Sequence, residues 1–298
     1  MKILQVIPYF FVDWAGGIEG KPVDTAYGLS KALVKRGHNV FVYTTDAFNK
    51  TAEVSKEKSL NLNGINVCEF RSLGNRKGVF NLCISPEMIL KLKKEVQAFD
   101  IIHLHEYPTF QNCVVHHYAK KYHIPYVLQS HGSLPREDGA TGFKRLLRSI
   151  YDISFGRQLL RDASRVIASS KIEAEQFKGM GVSEDKIEIV PNGIDLSDFE
   201  NLMLRGNFRK TWEINNSKII ILFLARIAII KRPDLLVTVF AELLKKTGNI
   251  QLVIAGPDDG YLQALKELVN ELGIEGKVLF TGPLYGKKKL EAFVDADI

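Results

Sequence analysis

This 298-residue chain predicts an α/β architecture of two doubly wound domains facing a cleft. Three observations carry that prediction. Short β-rich runs alternate with helical stretches from end to end. The runs are apolar nearly throughout, not at every second residue, which is how parallel strands covered on both faces read. A polar interval from about Leu196 to Ser217 interrupts the alternation, which then resumes. The expected domains are 1–200 and 201–298, the second incomplete.

In chain order the first-domain strands are "KILQVIP", "NVFVYTT", "INVCEF", "DIIHLHE", "PYVLQSH", "SRVIASS" and "KIEIVPN", with helices between most of them. The second series is "KIIILFLA", "IQLVIAG" and "KVLFTGP", separated by helical "KRPDLLVTVFAELLKKTG" and "DGYLQALKELVNELGI". Asp297 and Ile298 read as the first residues of one more strand. Two residues cannot form a strand alone, so a truncated chain is expected.

Composition narrows the function classes. With 46% hydrophobic and 25% charged residues the chain is globular, not disordered. Lys plus Arg number 40 against 34 acidic residues, a net +6. That suits an anionic ligand and is too mild to indicate nucleic acid. Much of the excess is local: residues 141–165 hold six bases and two acids, so 6 minus 2 gives +4 of the +6. Gln5 and Pro8 break what would be the apolar core of a signal peptide. No run of about 18 apolar residues exists to cross a bilayer. Cys68, Cys83 and Cys113 form no C-x-x-C pair and read as reduced thiols of a cytoplasmic protein.

The first strand-to-helix turn carries Gly16, Gly17 and Gly20, where backbone N–H groups and a helix N-terminus can meet an anion. The spacing is not G-x-G-x-x-G, and Asp46 comes late for a ribose ligand, which disfavours a dinucleotide dehydrogenase. A glycine-rich surface loop is the ordinary alternative. His131 follows a strand directly, at the carboxyl end where open α/β sheets bind ligands, and Gly132 permits a tight turn there. His103 and His105 share a strand face beside Glu106, but no third metal ligand is identifiable by position, and His116 and His117 point apart on a helix. No metal site is expected.

Arg226 breaks the apolar run "LFLARIAIIKRPDLL", and a guanidinium inside a buried strand is costly unless an anion meets it. With "KIIILFLA" as a strand, Arg226 falls at its carboxyl end and Lys231 at the start of the next helix. Both then converge with a helix N-terminus on the cleft, an arrangement suited to a diphosphate. Solvated surface cations are the competing reading. The basic segment 143–161 sets Phe143, Leu146, Leu147, Ile150 and Ser154 on one helical stripe, with Lys144, Arg145 and Arg148 beside it. The residues favour a stripe packed on the core over contact with anionic lipid.

Taken together, "AGGIEGKPVDTAYGLSKALVKRGHNVFVYTT", "DIIHLHE", "SHG", "VIASS", "IVPNGID", "FLARIAIIKRPDLL", "LVIAGPDDG" and "VLFTGPL" resemble, in order, the motifs of glycosyltransferase family 4, retaining enzymes of the GT-B fold with two Rossmann-like domains. The resemblance covers essentially the whole chain. It implies transfer of a sugar from a nucleotide diphosphate sugar to a saccharide or lipid-linked acceptor, in polysaccharide or glycolipid biosynthesis. Gly16 and Gly17 match glycines beside the donor phosphates and the acceptor. His131 matches the histidine facing the transferred sugar, Arg226 and Lys231 the pair gripping the diphosphate, and Gly256 and Leu284 positions near the nucleoside.

Such enzymes usually work without a metal or a separate cofactor, since fixed cations take the charge of the leaving group. The family's E-x7-E carboxylates lie beyond the last residue. The pairs here with that spacing, Glu87 with Glu95 and Glu267 with Glu275, sit elsewhere, so activity of the chain as given is an open expectation. Two other readings remain: a GT-B sugar-nucleotide epimerase, and a non-catalytic anion-binding or membrane-surface-binding fragment using 143–161. Peripheral membrane contact is compatible with the transferase reading as well.

Overall fold

Strand β1 (Lys2–Tyr9) is the hub of the first unit. Leu4, Val6 and Ile7 are fully buried on its two faces. It pairs in parallel with β2 (Asn39–Thr45) on one side and β5 (Ile101–His105) on the other, Leu4 lying between Phe41 and Ile102. The computed structural model describes residues 1–10, 21–47, 57–73, 83–134, 142–200, 202 and 204–298. These fall into two units, Met1–Ile194 and Asp195–Ile298.

The remaining strands of the first unit are β3 (Glu57–Leu62), β4 (Ile65–Phe70), β6 (Tyr126–Gln129), β7 (Arg165–Ala168) and β8 (Ile187–Ile189). The sheet order is β3-β4-β2-β1-β5-β6-β7-β8, parallel except for β3. Chain order reverses between β1 and β5, the place where open α/β sheets expose a ligand crevice at the carboxyl ends of their strands.

Helices α1 (Lys21–Lys35), α2 (Pro86–Glu95), α3 (Phe110–Tyr122), α4 (Phe143–Tyr151), α5 (Arg157–Asp162) and α6 (Lys171–Gly179) connect these strands. Three of them begin on hydroxyl caps that accept an orphan backbone N–H: Ser85 from Met88, Thr109 from Asn112, and Ser170 from Glu173. Large side chains such as Tyr43, Phe70, Leu92, Tyr107 and Phe177 fill the core with almost no exposure.

The antiparallel strand β3 was not among the expected runs. Its exposed, polar sequence "EKSLNL" hides the strand from an apolar reading. The signal lies in the turn that follows: Asn63 and Gly64 have φ of 52° and 85°, a two-residue hairpin of the type that Asn-Gly favours. A second departure lies between α4 and α5, where residues Asp152–Gly156 form a π turn. Its wider winding shifts the helical register.

In the second unit β9 (Ile219–Leu224), β10 (Ile250–Ala255) and β11 (Val278–Gly282) form a parallel sheet in the order β11-β10-β9. Every residue of β10 is buried, as a central strand requires. Helices α7 (Asn207–Thr211), α8 (Pro233–Leu244), α9 (Leu262–Glu271) and α10 (Gly286–Asp295) accompany it. Ile298 extends along the free edge of β9, donating to the Ile220 carbonyl at 3.1 Å and accepting from Leu222 at 2.8 Å. Buried Arg209 holds that segment. Its guanidinium donates to the carbonyls of Asn215, Lys218 and Asp295 and to the Asp297 carboxylate, so the charge is not left unpaired.

The carboxyl ends of the three strands lie close together. Ala225 donates to the Ala255 carbonyl at 3.1 Å and Gly256 to the Gly282 carbonyl at 3.0 Å. A Cβ at Gly256 would meet the Ala225 oxygen at 1.8 Å, so this position requires glycine for packing reasons alone. Gly256→Ala is expected to lower stability by about 1–3 kcal/mol. Gly28→Ala, mid-helix with open space around the position, should raise it by about 0.5–1 kcal/mol. Urea midpoints of the two variants moving in the same direction would refute this account.

Candidate functional site

At the carboxyl end of β6 the chain turns sharply through His131 and Gly132, with φ of 52° and 80°. A left-handed histidine is uncommon and must be held by its surroundings. The holder is Glu173 on α6, a residue no sequence motif was assigned to. Its carboxylate accepts from the Ser130 hydroxyl, from the Gly132 amide at 2.7 Å, and from the Ser169 amide and hydroxyl at 2.6 and 2.8 Å. These bonds hold its carboxyl below the usual range despite burial, which opposes them. The sequence did carry a sign: Ser170 followed three residues later by Glu173 is a capping-box pattern.

Around this turn three histidines gather. His103 and His105, two apart on β5, lie on one strand face and stack at 4.1 Å between ring centroids. His105 and His131 are nearly coplanar in orientation, 5.2 Å apart with 7° between planes. His105 Nδ1 lies 2.8 Å from His131 Nε2, and His105 Nε2 lies 2.7 Å from Gln5 Oε1. Both nitrogens of His105 are therefore engaged by side chains. His103 Nε2 is buried without a hydrogen-bond partner. No cluster of three or more potential metal-ligating side chains occurs among the described residues.

Burial is the main force on all three rings, because an imidazolium there would lose its hydration. It pushes His103 down to about 3, aided by the neighbouring His131, and His105 well below its ordinary value. His131 is pushed down to about 4, with Glu173 acting in the opposite direction. The cluster is neutral at physiological pH.

In the second unit, the expectation that Arg226 interrupts a buried strand is corrected. β9 ends at Leu224, two residues earlier, and the Arg226 side chain is 58% exposed. Its Nη1 donates to the Asp259 carboxylate at 2.5 Å. An ion pair this exposed is worth about 0–1 kcal/mol, so burial imposes no anion at this position and the argument from desolvation lapses. What survives is placement: Arg226 and Asp259 sit on paired segments at the carboxyl end of the sheet, where Ile227 bridges Asp258. Lys231 closes a short 3-10 turn, Ile229–Lys231, one residue before the cap of α8, and is exposed. The N-terminus of α9 is filled by the chain itself, since Asp258 accepts from the amides of Gly260, Tyr261 and Leu262.

Leu284 is buried, packed with Val253, Ala255 and Ala292, so only its backbone could face a ligand. Gly16 and Gly17 lie outside the described residues. The 143–161 stripe differs from the favoured core-packed reading: Leu146, Ile150, Ile153 and Phe155 are 57%, 51%, 75% and 56% exposed. Ser154, the polar member of the expected stripe, is exposed as well.

Two parallel α/β sheets in one chain, together with its family matches and the solved structures that share its fold, define the class, a glycosyltransferase of the GT-B fold. The chain belongs to Glycosyltransferase Family 4, whose profile matches residues 23–198, and the profile of glycosyl transferases group 1 matches residues 205–298. It is 27% identical over 279 residues to an uncharacterized glycosyltransferase of Methanocaldococcus jannaschii, covering 91% of this chain and 67% of that protein. It is 26% identical over 258 residues to the alpha-monoglucosyldiacylglycerol synthase of Streptococcus pneumoniae, covering 85% of this chain and 56% of that one. The Anabaena HepE protein, solved in complex with UDP and glucose, has the same fold, with a TM-score of 0.67 at 18% identity over 96% of this chain and 70% of that one.

The buried histidines set a pH dependence. Unfolded, each binds a proton near 6.5; folded, each refuses it until far lower pH, so the unfolded state binds more protons and stability rises with pH between those values. Urea unfolding should show stability falling from pH 7 to pH 5, by up to about 1.4 kcal/mol per pH unit for each histidine once below its unfolded value. A flat profile over that interval would contradict the neutral cluster.

Proposed function

We propose that this chain carries the machinery for moving a sugar from a nucleoside diphosphate sugar to a saccharide or lipid-linked acceptor with retention of anomeric configuration. The observation that carries the reading is the pair of exposed cations, Arg226 and Lys231, at the carboxyl end of the second sheet. As the glycosidic bond breaks, negative charge develops on the departing diphosphate. Two fixed cations stabilise it without a metal ion. The guanidinium gives one donor to Asp259 and keeps others for phosphate oxygens, in the fork geometry that suits them. Among the described residues Lys231 makes no ion pair, which leaves its ammonium available as a point charge.

His131 serves in this reading as the group that contacts the transferred sugar, and Gly16 and Gly17 as the glycines beside phosphate and acceptor. Gly256 and the backbone at Leu284 lie on the side of the nucleoside. The complex of the Anabaena protein with UDP and glucose makes UDP-glucose the first donor to try. In the full-length protein Lys231→Ala should lower kcat/KM by about 2–4 kcal/mol in transition-state terms, the scale of one preorganised charge. Undiminished transfer would refute the role of Lys231.

The exposed stripe Leu146, Ile150, Ile153 and Phe155, flanked by Arg148, Arg157 and Arg161, supports contact with an anionic lipid surface, as expected of a family member with a lipid acceptor. No helix among the described residues is long and apolar enough to cross a membrane, so such contact would be peripheral. Sedimentation with vesicles containing anionic phospholipid should fall at least several-fold for Arg148→Glu combined with Arg157→Glu. Equal sedimentation by the variant would remove the membrane contact from the proposal.

A further inference from the structure

A line of hydrogen bonds with a fixed direction runs from helix α1 to His131. It begins at the Ala26 carbonyl, an atom that can only accept. Ser30 Oγ lies 2.7 Å from it, so the serine hydrogen points there and the Ser30 oxygen can only accept from its next neighbour. That neighbour is the Gln5 amide at 2.9 Å, which must therefore present its NH2 group. The opposite end of the Gln5 amide is then its oxygen, and His105 Nε2, 2.7 Å away, must carry a hydrogen to donate to it. A neutral imidazole has one N–H, so His105 Nδ1 is a bare lone pair, and His131 Nε2 at 2.8 Å must be the donor.

We infer that Ala26, Ser30, Gln5 and His105 act as positioning residues that fix His131 in its Nε2–H tautomer, leaving Nδ1 as a pure acceptor for a hydroxyl of the transferred sugar. Ser30, Gln5 and His105 are each fully buried, so no bulk water competes for these bonds. Each link leaves the next group a single choice, and a three-atom amide and two rings carry that choice from a helix backbone across β1 and β5 to the turn after β6. With Nε2–H donating to His105 and Nδ1 unprotonated, the ring has no hydrogen to offer a phosphate oxygen. It suits a sugar that presents an O–H and rejects one whose substituent can only accept. The role at the sugar rests on the donor reading above, whereas the tautomer does not.

Long-range proton–nitrogen correlation spectra of the full chain, labelled with 15N-histidine and free of ligand at neutral pH, test the wiring directly. Expected are Nε2–H signatures for both His105 and His131, with Nδ1 of each unprotonated. A protonated Nδ1 on His131 in the native chain would overturn the inference without reference to any activity. Gln5→Leu removes the acceptor of His105 Nε2, so both rings should invert, His105 donating through Nδ1 and His131 gaining a hydrogen on Nδ1. Should that variant not fold, Ser30→Ala frees the Gln5 amide to rotate and should give mixed tautomers at His131, with Ser30→Thr restoring the native pattern. An unchanged His131 in a folded Gln5→Leu or Ser30→Ala chain counts against the relay.

Calorimetry separates the two layers. Native protein that bound neither a nucleoside diphosphate nor its glucose conjugate, with uridine, guanosine or adenosine as the nucleoside, would remove the donor reading and leave the tautomer standing. Where both bind, Gln5→Leu should weaken UDP-glucose about tenfold and leave UDP unchanged, the loss of one hydrogen bond at the sugar. An equal loss for both ligands would show a merely structural role and overturn the positioning role.

Discussion

One buried carboxylate governs the geometry of the first unit. Glu173 accepts four hydrogen bonds from the loops that leave β6 and β7, and in doing so it makes a left-handed turn at His131 tolerable. An isolated carboxylate at that depth would be severely destabilising. Surrounded by two hydroxyls and two amides, it behaves as a staple between adjacent strand ends. Tyr107 adds a second tie, its amide donating to Ser133 at 2.7 Å and its hydroxyl to Asp152 at 2.6 Å. Gly156 sits against that hydroxyl, where no Cβ could fit. The turn, the π segment and the strand ends are thus mutually braced, and the position of the histidine cluster follows from that bracing.

Much of this was readable in the amino-acid order, for a physical reason. Strands buried on both faces must be continuously apolar, and the ten runs of that kind all form strands. β3 escaped because an outermost strand with solvent on its faces needs no apolar pattern; only Asn63 and Gly64 betray it. His131, at a strand end before a glycine, was visible as a candidate. Its dependence on Glu173, Gln5 and Ser30 was not, since the contacts that link them to the turn join residues 25 to 100 positions apart, and nothing local marks a long-range hydrogen bond. Arg226 shows the opposite failure. Hydropathy read its guanidinium as set in a buried run, whereas β9 stops at Leu224 and the side chain is exposed, although neighbouring Ile227 is buried and pairs with Pro257 and Asp259.

The stripe on α4 failed for a subtler cause. Leu146, Ile150 and Ile153 follow the four- and three-residue steps of an ordinary helix face, so the grouping of residues was legible; what it did not reveal is that this face meets solvent. Periodicity groups residues on one side of a helix and is silent on whether that side meets the core or solvent. Phe155, in the π turn Asp152–Gly156, is exposed beside Arg157. Apolar and cationic groups therefore share one exposed face, which composition alone could assign equally well to a core-facing helix.

The hairpin that sequence periodicity overlooked has a bearing on how the molecule behaves in company. A wide parallel sheet ends in two rows of unsatisfied backbone groups, which invite docking by stray extended chains. Among the described residues one margin is β3, polar and bearing Glu57 and Lys58, and the other is β8, three residues long with Glu188 exposed. Short, charged margins of this kind are poor templates for amyloid-like growth. The sheet can thus keep its own width in a crowded cell without recruiting a further strand from a neighbour.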